Sequence, residues 1–151
     1  MKKLHILALI LIALTSCSSS FLRDDLQITD LLKYKEKIDS TTNPAEAYML
    51  KIDLASQTVS LKGLLVKDII ESTNIDYQFC VISEMETEKG KIECHIYTKN
   101  IRRISYLKKN KTIMDVRGEF SRFFSTLENY YTKLEIINSQ ITIINPEEKK
   151  E

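Results

Sequence analysis

Three groups of side chains in this chain have types and spacings that could do chemistry. Cys94 and His95 are adjacent, but neighbours on an extended strand point to opposite faces, so they cannot work as a thiol–imidazole dyad. Asp115, Arg117 and Glu119 alternate, which puts two carboxylates and a guanidinium on one strand face. Some nucleases use such a set, and so does any solvated sheet edge. Phe120, Arg122, Phe123, Phe124, Tyr130 and Tyr131 gather rings around an arginine, a combination suited to protein contact and to stacking on sugars. The second histidine, His5, lies in the leader described next, so beyond it His95 stands alone and a His-centred metal site is not available. The expectation is a non-enzymatic protein without cofactor or metal, with Arg122, Phe123, Phe124, Tyr130, Tyr131, His95 and Tyr97 as candidate binding residues.

The first residues read as an export signal: Lys2 and Lys3, an apolar core from Leu4 to Leu14, then small residues. The core is too short for a membrane span, which needs about 20 residues. Leu14-Thr15-Ser16-Cys17 resembles the lipobox of bacterial lipoproteins. That resemblance implies a diacylglyceryl group, and palmitate-type acylation, on Cys17 after cleavage at residue 16. It places the protein in a bacterial cell envelope, lipid-anchored to a membrane.

The 151 residues carry 22 basic and 21 acidic side chains, and removal of Lys2 and Lys3 leaves 20 against 21. No strong field gathers nucleic acid. The expected organisation is a signal peptide over 1–16, a lipidated N-terminus with spacer and short helix over 17–43, one folded domain over 44–145, and a charged tail over 146–151. Cys80 and Cys94 remain in a compartment that permits a disulfide, yet both also suit burial as free thiols, and they are expected close together and unbridged.

Thr29 can cap a short helix carrying Leu31, Leu32 and Ile38, either a stalk or a loosely packed element. Asn43-Pro44-Ala45-Glu46 starts a second helix at Pro44, with Asn as cap and Pro in the first turn, and Ala45, Tyr48, Ile52 and Ala55 are its expected docking face. Strands follow at Thr58 to Val66, Asp76 to Ile82 and Lys91 to Tyr97. The third has Ile92, Cys94 and Ile96 on one face, and Glu93, His95 and Tyr97 on the other. Asn100 to Asn110 changes to a helical period, and strands return at Thr112 to Phe120 and Lys133 to Ile144.

Gly63 and Gly118 interrupt the first and fourth strands, as where a sheet bends at the corner of a small barrel. Three strands, a short helix and two more strands, with bends in the first and fourth, resemble the OB-fold. The fold class is therefore mainly β with short helices (α+β), a five-stranded OB-fold-like barrel preceded by an N-terminal helix. The series Val59 to Gly63, Lys91 to Ile96, Leu107 to Lys111, Met114 to Gly118 and Leu134 to Asn138 is similar to the small envelope proteins grouped as tRNA-anti-like, named for fold and not for tRNA binding.

Such barrels bind ligands across the second and third strands and the adjoining loops. Here His95, Tyr97 and Gln78 face that region, but Glu84, Glu86, Glu88 and Glu93 crowd it, which disfavours nucleic acid. The reading is a membrane-anchored binding module for an envelope protein or glycan, with an oligonucleotide-binding domain as the alternative. Replacing Cys17 with Ala is expected to abolish incorporation of a fatty-acid analogue in labelled cells. Unchanged labelling would contradict the anchor.

Overall fold

The computed structural model describes residues 24–124 and 130–144, so the leader, Cys17, the Ser18 to Ser20 spacer and the charged tail lie outside them. Helices α1 (Ile28–Ser40) and α2 (Pro44–Leu54) precede strands β1 (Thr58–Glu71), β2 (Phe79–Thr87) and β3 (Gly90–Tyr97). A one-turn helix α3 (Ile101–Ile104) leads to β4 (Ile113–Phe124) and β5 (Thr132–Ile144). The strands close into a barrel in the order β1-β2-β3-β5-β4. Only β3 and β5 run parallel, Ile92 opposite Thr132 through Ile96 opposite Ile136; the other four pairings are antiparallel. This is the expected five-stranded OB-fold barrel.

Closure depends on the two interrupting glycines. Gly63 sits at φ +72°, in the left-handed region that strains other residues, where the β1–β4 register shifts between Leu61 and Leu64. Its amide donates to the Asp115 carboxylate at 2.9 Å, fixing the bend from across the pair. Gly118 has no room for a side chain: a Cβ there would lie 2.7 Å from Ile136 Cγ2 and 2.8 Å from the Ile137 carbonyl oxygen and Ser139 Oγ. β4 and β5 approach there more closely than any larger residue allows.

Inside, Val59, Leu61, Leu64, Val66, Val81, Ile92, Ile96, Met114, Val116, Leu134 and Ile136 fill the barrel. Ile104 and Leu107 join this core from the β3–β4 connection, and Leu31, Leu32 and Leu54 join it from α1 and α2. Burying a leucine stabilises by about 2 kcal/mol, so α1 is a packed element and not a stalk. It starts one residue before Thr29, with Gln27 at the cap position donating its amide to Asp30 Oδ2 at 3.1 Å. Ahead of it, Leu26 bridges to β1 through hydrogen bonds with Thr58 and Ser60.

Four expectations about local structure need correction. The buried face of α2 is Leu50 and Leu54, whereas Tyr48 and Ile52 are exposed, because the helix carries apolar residues on two faces and the leucines take the core. β1 runs on to Glu71, since a bulge between Val66 and Asp68 breaks the alternation and hides the continuation. β2 starts at Phe79, not Asp76. The cysteines are both free and buried but lie on opposite sides of the sheet. Cys94 pairs with Ser83 and faces the core, while Cys80 pairs with Tyr97 on the outer side, so no disulfide can join them.

The glycine geometry separates two substitutions. Gly63→Ala meets open space and should cost about 1–2 kcal/mol from the left-handed backbone alone. Gly118→Ala should cost about 3 kcal/mol, because a carbonyl oxygen must move. Urea midpoints measure both, and equal shifts would contradict the close approach.

Candidate functional site

The outer side of β2, β3 and β5, with the last turn of β4, is built by strand alternation from residues whose neighbours fill the core. The register sets Glu93 beside Lys133, His95 beside Glu135, and then Arg122 and Phe124 opposite Glu135 and Lys133. β3 and the β4–β5 hairpin thus meet in one patch.

At its centre is a stack of flat groups. The His95 and Phe124 ring centroids are 5.1 Å apart, and the Arg122 guanidinium carbon lies 4.8 Å from the Phe124 centroid. Beneath them sits Glu135, a buried carboxylate that accepts from Ser121 Oγ at 2.7 Å and from the Arg122 guanidinium at 3.2 Å. Glu93 Oε1 lies 2.8 Å from His95 Nε2 and 3.0 Å from Lys133 Nζ. Since a carboxylate only accepts, Nε2 is the donor in this contact. Lys133 in turn lies over the Tyr130 ring, 5.1 Å from its centroid. Tyr130 donates to Glu84, which also pairs with Lys67 at 3.0 Å.

This pairing sets the titration of the patch. Burial pushes the Glu93 carboxyl up, but hydrogen bonds from His95 and Lys133 outweigh it and leave its pKa below the ordinary 4.5. Glu84 behaves likewise, raised by burial and lowered further by Lys67. Burial and the adjacent Glu84 charge push the Tyr130 hydroxyl up to about 12.

The upper part of the same face is covered. Tyr77, from the β1–β2 loop, lies over Tyr97 with centroids 5.4 Å apart, and together with Cys80, Ile82 and Ile137 they form a small apolar cluster outside the barrel. The Tyr77 hydroxyl donates to Asn138 Oδ1 at 2.8 Å and accepts from the Asn138 amide at 3.1 Å.

Of the seven residues singled out in the sequence, the fold brings together His95, Arg122, Phe124 and Tyr130. Tyr97 shares their face but is buried beneath Tyr77. Phe123 and Tyr131 turn the other way and pack against the core, Phe123 with its centroid 4.8 Å from that of Phe120. The hairpin tip at 125–129 lies outside the described residues. Glu135, Lys133 and Tyr77 were not singled out: alternation could have placed the first two on the patch, whereas nothing local marks Tyr77. Asp115, Arg117 and Glu119 are committed elsewhere, to the Gly63 amide, to Asp25 at 2.6 Å and to Asn138 at 3.1 Å.

No family model matches the chain, and no curated protein does. Among solved structures it is similar to the mitochondrial single-stranded DNA binding protein of S. cerevisiae, at 16% identity and a TM-score of 0.43, over 60% of this chain and 96% of that one. The expectation that disfavoured nucleic acid as a partner is corrected. The charge argument behind it fails because three of the four carboxylates it counted, Glu84, Glu86 and Glu93, are paired with basic side chains. Glu84 is paired with Lys67, Glu93 with Lys133 and His95, and Glu86 with Lys91 at 3.5 Å.

A folded-state pKa held below 4.5 means that Glu93 contributes stability above that pH, which is lost as pH falls through the lowered value. Glu93→Gln is therefore expected to be less stable than the parent at neutral pH and to lose less on acidification below 4.5. Acid-unfolding curves decide, and parallel curves would contradict the pairing.

Proposed function

We propose that this chain is a non-enzymatic OB-fold binding domain, tethered to a bacterial membrane through Cys17, that takes a single-stranded oligonucleotide on its outer face. The observation that carries the reading is the Arg122–Phe124–His95 stack, a partly exposed set of flat groups in the middle of that face. Unpaired bases stack on such groups whatever their sequence, and a duplex cannot present them. Membership of the tRNA-anti-like group belongs to the same proposal, on the ordered motifs from Val59 to Asn138.

The paired charges shape the binding expected. Arg122, Lys133 and Lys67 already hold carboxylates, so phosphates must compete for them and few counterions are released. Affinity should come mainly from stacking and depend weakly on salt.

A second reading is favoured by Glu93, a carboxylate that accepts hydrogen bonds beside the His95 ring and suits the hydroxyls of a glycan stacked on Phe124. Fluorescence anisotropy with labelled single-stranded DNA, single-stranded RNA and oligosaccharides separates the two. Phe124→Ala should weaken oligonucleotide binding about tenfold or more, since stacking on one ring is worth about 1–3 kcal/mol per base. Absence of oligonucleotide binding at low salt, with saturable glycan binding, would overturn the first reading in favour of the second.

A further inference from the structure

Helix α2 is apolar on two sides. Leu50 and Leu54 face the domain and are buried. On the opposite side Ala45, Tyr48, Met49 and Ile52 recur at the spacing of one helix face, and they are open to solvent: Tyr48 is 64% exposed, Met49 54% and Ile52 48%. Single exposed apolar residues are ordinary, but three large ones aligned on one helix make a continuous stripe that favours leaving water.

The course of the chain says what covers it. Leu26 is hydrogen-bonded to Thr58 and Ser60, and Thr58 lies four residues beyond Leu54, the last residue of α2. The segment leading back to Cys17 therefore departs beside the C-terminal end of this helix. Eight residues separate Cys17 from Leu26, and even fully extended this stretch spans only about 30 Å. A lipid on Cys17 holds Leu26 within that distance of the bilayer, and with it the start of β1, four residues beyond the end of α2.

The helix suits such a surface. Its 11 residues are too few to cross a bilayer, and among the described residues no helix is long and apolar enough to do so. Lying flat, it would place Met49 and Ile52 at the acyl boundary and Tyr48 at headgroup level, with the charges of Lys51 on one flank and Glu46 and Asp53 on the other reaching water.

We propose that the Tyr48–Met49–Ile52 face of α2 docks in the lipid surface to which Cys17 is anchored, fixing the orientation of the barrel on the membrane. The proposal rests on the tether reading. The stripe alone is too small for lasting attachment, so the acyl chains supply affinity and the helix supplies orientation.

The test uses the full, lipidated chain in vesicles of phosphatidylethanolamine and phosphatidylglycerol. Cys80 and Cys94 are buried, so an environment-sensitive dye can be directed to a single introduced cysteine. Ile52→Cys reports from the stripe. Ile75→Cys, fully exposed in the β1–β2 loop beyond the far end of β1, reports from a distant site. Nitroxide-bearing lipids should quench the dye at position 52 several-fold more strongly than at position 75, with a blue-shifted emission only at 52. Weak and equal quenching at both positions, on protein that floats with the vesicles, would overturn docking and leave the tether standing. Protein that does not float would overturn the tether and the docking together.

Discussion

Closure of the barrel where β4 crosses β5 is the constraint on which everything else depends. The two strands meet so closely at Gly118 that a methyl group would overlap a carbonyl oxygen of β5. The bend at Gly63, held by Asp115, brings β1 round to β4 and completes the ring. Closure then forces the one parallel pairing, β3 with β5. A parallel neighbour puts Glu93 and His95 level with Lys133 and Glu135, and β4 delivers Arg122 and Phe124 alongside. Opened at the β4–β5 seam, the same sequence would lose Arg122 and Phe124 from the patch.

The electrostatics of the patch follow from its partial burial. A buried carboxylate such as Glu135 is costly unless hydrogen-bonded, and Ser121 and Arg122 meet that need. Glu93 is satisfied by His95 and Lys133. The result is a surface of paired charges with flat groups laid across it, weak in net field. Such a surface favours a ligand recognised by shape and stacking over one drawn in by charge. Above the patch, Tyr77 occupies the Tyr97 ring and keeps the upper part of the face dry, so the open stacking surface is confined to the lower half.

Much of this was legible before the structure. Alternation in Lys91 to Tyr97 assigned both faces of β3, Asn43-Pro44 placed the start of α2, and Gly63 and Gly118 marked the bends. His95, Arg122, Phe124 and Tyr130 were recognised from residue type. What escaped depended on pairing partners that no local window contains. Phe123 was grouped with Phe124 although alternation sends them to opposite sides, and a register shift between Phe120 and Arg122 obscured which side is which. The acidic residues of the second hairpin were counted as free charge because Lys67 and Lys133 reach them only once β1 and β5 are in place. The two apolar faces of α2 are equally visible in the sequence, and only packing decides between them.

The central claim is that the outer face formed by β3, β5 and the end of β4 is the ligand surface. An NMR titration with an unstructured single-stranded oligonucleotide tests it most directly. Shift changes are expected to concentrate at His95, Arg122, Phe124, Tyr130 and Lys133, with the core and α2 unmoved. Saturable changes confined to any other surface, or none at low salt and high oligonucleotide concentration, would contradict it.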